Sequence, residues 1–423
     1  ISVLLGCGNG SFGDRKNFSV FFGSTSVTVG DFNCDMRLDI VVVSFHGSSI
    51  NVLLGNGNGS FQDLILFRVD IGPTFAAVGF VNNDILMDIV VVHMHSKSIS
   101  VLLGHGNGSF AKPVAYSTGS SPNFVVIADL NNDTLSDIAV PNSQDNTISV
   151  LLGYGNGSFA SQVTYSTGSS PYSLAIGDLN NDTQLDIVVS NFEDDSIGLL
   201  LHRNSGALTK EVITASTDGA NLRSIAIADV NADSQLDIII ANYGTNNLGI
   251  LLGSPNKTFK NSTFYGTGVN SHPSSIAMGD FNGDTQLDIA VTNFHTKFVD
   301  LLVGNGAGKF IHQVKHEVGS NSSPIALVTS DFNDDGISEV VIAYSDIDYI
   351  DILVVRDSGL FRNALAQTIL SPAYLFNTFL IGDFNNDHLL DIVWGESHSD
   401  NTYMLFNYQK SRILYPSLNI KSR

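Results

Sequence analysis

Between Pro171 and Ser190 the chain reads PYSLAIGDLNNDTQLDIVVS. SLAIGDL alternates apolar and small residues with the two-residue period of a half-buried strand. NNDTQ, a cluster of turn formers, interrupts it. LDIVVSNF follows, rich in the β-branched residues that suit a pleated surface. Working outward, SIGLLLH at 196–202 predicts a third strand and EVITAST at 211–217 the approximate place of a fourth. One unit is therefore four short strands with no helical period.

The unit recurs along the whole chain. Asp31, Asp129, Asp178, Asp229, Asp280, Asp331 and Asp383 open the same nine-residue phrase, and Phe80 stands at that place in the second copy. Successive copies lie 49, 49, 49, 51, 51, 51 and 52 residues apart. Third and fourth strands are joined in several copies by GNGSF, as at Gly57–Phe61, Gly106–Phe110 and Gly155–Phe159. Asn-Gly between apolar runs is a strong hairpin signal because both residues tolerate positive φ. A recurring phenylalanine (Phe12, Phe61, Phe110, Phe159, Phe259, Phe310, Phe361) then restarts the strand with a large apolar anchor. SSP at Ser120–Pro122 and at Ser169–Pro171 ends one unit before the next.

Four strands per fifty-residue unit, repeated without helices, predict an all-β fold: one β-propeller domain over residues 1–423, with four-stranded antiparallel blades. Eight phrases favour eight blades, with seven as the alternative. The chain begins inside a unit, at ISVLLGCGNGSF, and TYMLFN at 402–407 is a further third-strand candidate. Two N-terminal strands closing the last blade would complete eight and displace a tail at 402–423.

The phrase is D-x-N-x-D-x-x-x-D. It is Asp31, Asn33, Asp35, Asp39; Asp129, Asn131, Asp133, Asp137; Asp178, Asn180, Asp182, Asp186; and Asp229, Asn231, Asp233, Asp237. It continues as Asp280, Asn282, Asp284, Asp288; Asp331, Asn333, Asp335, Glu339; and Asp383, Asn385, Asp387, Asp391. Ca²⁺ takes six to eight hard oxygen ligands, and alternate positions of a tight loop supply carboxylate and amide oxygens. The side chains at positions one, three, five and nine, with the carbonyl of position seven, are the expected ligands. Strand flanks exclude an EF-hand. Mg²⁺ suits so many protein oxygens less well, and no Cys or His is present for Zn²⁺. Turn chemistry alone would account for one or two aspartates per loop, not four oxygen side chains at fixed spacing. Seven or eight Ca²⁺ ions are expected, the second site being weak or empty for want of its first carboxylate.

The formal net charge of −21 has the same origin. Three acids in each of seven phrases and two in the second make 23 of the 41, and the remaining 18 face 20 Lys and Arg. A strongly acidic chain disfavours nucleic acid and anionic membranes as partners. No stretch approaches the length of a membrane-spanning helix, so direct membrane insertion is not expected. With residue 1 in mid-pattern, the sequence reads as a mature chain or a fragment. Cys7 and Cys34 are read as unpaired thiols, although both fall in turns where one bridge is geometrically possible.

The strand–aspartate loop–strand unit resembles the FG-GAP/VCBS repeat proteins, including the propeller heads of integrin α-subunits, over essentially the whole chain. The resemblance implies Ca²⁺ in the loop between the first two strands of a blade. The GAP triplet itself is replaced by forms such as VSN at Val189–Asn191 and IAN at Ile240–Asn242. The family typically closes with seven blades.

The leading expectation is a non-enzymatic, Ca²⁺-binding extracellular adhesion or interaction module for a protein or glycan. Sequons at Asn9, Asn17, Asn58, Asn107, Asn156, Asn256, Asn261 and Asn321 agree with a secreted or cell-surface setting, though NGS is also simply the hairpin turn. Specificity is expected in the connections at Phe192–Ser196 and Gly266–Pro273. A propeller lectin is the alternative, but no Tyr or Trp recurs in every blade; Tyr116, Tyr165 and Tyr265 recur in three and read as core or strand-edge residues. A hydrolase or other enzyme is the weakest reading. His93 and His95 read as two surface histidines without a third ligand, and the acid loops are all alike where a catalytic site is normally singular.

Overall fold

The structure, a computed structural model, describes residues 1–9, 11–20, 23–203, 207–213, 219–254, 259, 262–317, 323–344, 349–353, 369–370 and 376–396. Every regular element among them is a strand, and the strands form eight four-stranded antiparallel sheets. Blade 1 consists of Ser24–Gly30, Asp39–Ser44, Ser49–Leu53 and Ile65–Arg68. Blades 2 to 7 repeat this order.

Blade 8 is made from both parts of the chain. Phe376–Gly382 and Asp391–Glu396 supply its first two strands, and Ser2–Leu4 and Lys16–Asn17 its third and fourth. Ser2 pairs with Trp394 and Leu4 with Ile392. The first strand of blade 8 packs on that of blade 1, which closes the ring at eight. Residues 402–423 lie outside the described residues.

The second strand explains the β-branched runs. Asp39–Ser44, Asp88–His93, Asp137–Asn142, Asp186–Asn191, Asp237–Asn242, Asp288–Asn293 and Glu339–Tyr344 are buried along their whole length. Each blade is sandwiched between two neighbours, so a middle strand is covered on both faces and does not alternate. Val41 and Val43 of blade 1, for instance, share one core with Ala76, Val78, Ile89 and Val91 of blade 2. Fourth strands lie at the outer edge and are mostly exposed, as in Val114–Ser117.

The recurring phenylalanine joins one blade to the one before it. Phe110 of blade 2 packs edge-on against Phe32 in the acid loop of blade 1, with ring centroids 5.6 Å apart. Phe12 meets Phe332 in the same way at 5.4 Å. The turn that precedes this residue also reaches back: Gly108 N–H donates to the Phe32 carbonyl at 2.9 Å and Gly157 N–H to that of Val81 at 3.2 Å. Tyr116 and Tyr265 belong to these seams as well. Their hydroxyls accept the N–H groups of Phe159 and Phe310 in the following blade, at 3.3 and 3.1 Å.

Two expectations are corrected. The fourth strand of blade 4 is Ala207–Ile213, four residues ahead of its expected start. This blade lacks GNGSF, so its third strand runs on to Arg203 and pairs directly with Ala207. His93 is fully buried and its Nε2 lies 2.8 Å from Ser100 Oγ, whereas His95 is exposed. The two are thus not a surface pair. Cys7 and Cys34 are free and exposed.

Candidate functional site

All eight nine-residue loops link the first and second strands of a blade. An up-and-down blade puts alternate connections at opposite ends, so these loops share one rim with the turns joining third and fourth strands. The other rim carries the remaining connections.

Within a loop the polar side chains fold onto the backbone. In blade 1, Asp31 Oδ1 accepts the N–H of Asp35 at 3.0 Å and Asp31 Oδ2 that of Met36 at 2.8 Å. Asn33 Oδ1 accepts the same Asp35 N–H at 3.1 Å, while Asp35 Oδ1 accepts from Arg37 N–H at 3.0 Å. Oxygens of positions one and three thus converge on one point beside position five. The same convergence occurs at Asp133, Asp233, Asp284, Asp335 and Asp387. Gathering these N–H groups forces residues four and six into the left-handed region. Cys34 and Met36 have φ of 60° and 62°, and Asn132 and Thr134 have 60° and 68°.

The ninth position does something else. Asp39 is fully buried; its Oδ2 accepts the N–H of Phe32 at 2.8 Å and its Oδ1 that of Gly55 at 2.7 Å. Asp88, Asp137, Asp237, Asp288 and Asp391 bridge in the same way, from the loop's second residue to the glycine sixteen residues on or its counterpart Gly6. In blade 4 Asp186 accepts from His202 N–H, and in blade 7 Glu339 accepts from Phe332 N–H and from Asn333 Nδ2. The glycine is needed because a Cβ at Gly55 would run into the carbonyl of Leu38. The residue whose N–H is held (Phe32, Val81, Leu130, Leu179, Val230, Phe281, Phe332 or Phe384) is itself buried. An apolar residue at the second position of every copy was the signal for this anchor.

Electrostatics follow from this burial. Desolvation pushes the Asp39, Asp186, Asp237, Asp288 and Asp391 carboxyls up to about 6 and Glu339 to about 7. The loop's two other carboxylates add to the rise, and the backbone N–H groups oppose it. Asp88 and Asp137 are raised for the same first cause.

The donor set is oxygen-only, the chemistry a hard cation requires. Among the described residues no three acidic, His or Cys side chains form a ready-made cluster. The carboxylate oxygens are turned to the loop's own N–H groups, and each keeps a further lone pair for a cation. In blade 4, Asn180 turns its Nδ2 to Asp186 at 3.0 Å, and its buried Oδ1 has no hydrogen-bond partner. The second loop departs from the rest. With Phe80 in first place the Asp84 N–H is held by Asn82 Oδ1 alone, at 3.2 Å, no position-one carboxylate draws in the N–H of residue 85, and Ile85 is not left-handed.

An eight-bladed ring with repeated acid loops between first and second strands defines the class. The FG-GAP-like repeat family matches residues 81–140, 129–189, 229–291 and 331–394, more than half of the chain. The chain belongs to that family. No curated protein matches it in sequence.

Solved structures share the fold at low identity. A protein from Bacteroides fragilis assigned as a 6-phosphogluconolactonase is 12% identical, with a TM-score of 0.53 over 84% of this chain and 97% of its own. BBS1N in complex with ARL6DN is 13% identical, with a TM-score of 0.50 over 81% and 94%. An Agrocybe aegerita lectin recognising non-reducing terminal N-acetylglucosamine is 15% identical, with a TM-score of 0.49 over 74% and 89%. At such identities the likeness is one of fold, and fold does not carry function. Among the described residues no helix is long and apolar enough to cross a membrane.

Proposed function

We propose that this chain is a non-enzymatic, calcium-stabilised interaction module working outside the cell. The observation that carries the reading is the convergence of position-one and position-three oxygens beside position five, in six loops of one rim. Ca²⁺ would be held by the position-one, -three and -five side chains, with the buried position-nine carboxylate closing the set. Asn180 Oδ1, buried without a donor, is an oxygen that such an ion would satisfy. Millimolar extracellular Ca²⁺ is the setting in which exposed loops of this kind fill. Each ion would clamp the first-to-second strand turn, and the opposite rim would be left for the partner.

That rim suits a protein or a glycan. Tyr172 and Phe192 lie half-buried with ring centroids 5.7 Å apart, and Tyr243 stands beneath the Arg223 guanidinium at 4.3 Å. Half-exposed rings beside polar groups are the parts from which sugar platforms are made, which favours a lectin as the second reading. A glycan array on the purified chain tests it.

The primary test is a thermal melt of metal-stripped protein with millimolar Ca²⁺, and with Mg²⁺ as control. A melting temperature that climbs selectively with Ca²⁺ is expected, by mass action on the folded state. No shift, or an equal one with Mg²⁺, would remove calcium from the proposal.

A further inference from the structure

The second loop, the one without an opening carboxylate, borders a cleft of about 450 Å³ on the acid-loop rim. Phe80, Asp84 and Ile85 of blade 2 form one wall, and Thr134, Leu135 and Gly155 of blade 3 form the other. The two loops are tied at its edge, where Ser136 Oγ donates to the Phe80 carbonyl at 2.8 Å.

Its lining differs from that of every other loop. Residue six of the other seven is left-handed (Met36, Thr134, Thr183, Ser234, Thr285, Gly336, His388), drawn in by the position-one carboxylate. Ile85 lies outside that region and is 87% exposed. Met36 at the same place in the first loop is exposed too, at 78%, but in this loop the exposed side chain is accompanied by a ring at position one, Phe80, 43% exposed. An exposed isoleucine beside an exposed phenyl ring at a cavity mouth is costly unless something covers it. The lining holds one carboxylate and no base. Asp84 lines the cleft: Oδ1 accepts Leu86 N–H at 2.7 Å and Oδ2 accepts Asn82 Nδ2 at 2.8 Å, neither partner being cationic. A divalent ion finds too few oxygens here. A single positive charge on an apolar body finds a carboxylate, an aromatic face and aliphatic walls. The volume lies within the range of small-molecule sites.

We propose that this cleft binds a small organic cation, an amine or quaternary ammonium carried on an aromatic or alkyl body. The idea goes beyond the calcium reading and does not depend on it, since this loop lacks the opening ligand.

The test uses the full chain, in millimolar Ca²⁺ and again in chelator, titrated with dansylcadaverine and with dansylglycine. These probes share a fluorophore but carry an ammonium and a carboxylate. Saturable, blue-shifted emission is expected with the ammonium probe, at least about tenfold tighter than with the carboxylate probe. Asp84→Asn should erase most of that preference. Ile85→Thr, at a position too exposed to affect folding, should weaken both probes several-fold, and Phe80→Ser, which removes the ring without adding charge, should weaken both further. Equal affinity for the two probes would overturn the assignment, as would binding that survives both Asp84→Asn and Ile85→Thr unchanged.

Discussion

The closing carboxylate of each loop should matter most when no metal is present. Asp137 is fully buried and bridges two N–H groups, Leu130 at 2.9 Å, seven residues before it, and Gly153 at 2.8 Å, sixteen residues after it. Asp137→Ala leaves both without an acceptor. An orphaned buried donor costs about 1–3 kcal/mol. Two would give about 2–6, and relief of the buried charge, whose raised proton affinity reports its desolvation, returns part of this. A net loss of about 2–4 kcal/mol is expected. Asp133, exposed in the same loop, holds Leu135 N–H and Asn131 Nδ2 near solvent, and Asp133→Ala should cost under about 1 kcal/mol in chelator. Native-state hydrogen exchange resolves the difference residue by residue. In chelator, Asp137→Ala should speed exchange at Leu130 and Gly153 by about 30- to 900-fold, the same energy at 1.36 kcal/mol per decade. Asp133→Ala should leave those two amides nearly unchanged. Unaltered exchange at both in Asp137→Ala would refute the bridging role.

Two other outcomes follow from the same geometry. Asp39, Asp186, Asp237, Asp288 and Asp391 titrate near 6 in the folded chain against 3.8 for an ordinary aspartate. The folded state therefore binds more protons between those values, and in chelator the melting temperature should fall as pH rises from about 4 to 6.5. With Ca²⁺, which competes with those protons, the slope should reverse; a common slope with and without the ion would contradict this. Gly153→Ala drives a Cβ into the Ser136 carbonyl and should cost about 1–3 kcal/mol in urea unfolding, whereas Gly266→Ala, with open space around it, should cost less than 1.

Much of the ring was legible because its information is local and repeated. The constant period, the Asn-Gly turns and the β-branched second strands each point to the same four-stranded unit, and the count of phrases pointed to eight blades. What was hidden depends on distance. That position nine bridges to a glycine sixteen residues away across its own blade, and that Phe110 seats on Phe32 of the preceding blade, are contacts between segments separated in sequence that no local pattern displays. His93 shows the same limit. An H-x-H pair looks like two residues facing one way, yet His93 ends a strand covered on both faces while His95 stands past it in the turn. In blade 4 the missing GNGSF let the hairpin zip further, a shift that composition alone could not place.

The eighth blade also sets a clock on biosynthesis. Ser2–Leu4 is made some 390 residues ahead of its partner Asp391–Glu396. At about 5–20 residues per second, that strand waits roughly 20 to 80 seconds with an unpaired apolar edge. Seven blades can form in that interval from neighbours in sequence, each adding to the last. The circle closes only when Asp391–Glu396 meets Ser2–Leu4, by the pairing of longest sequence separation in the ring. Until then the nascent protein is an open arc with two sticky ends, and those seconds are when it most needs a chaperone.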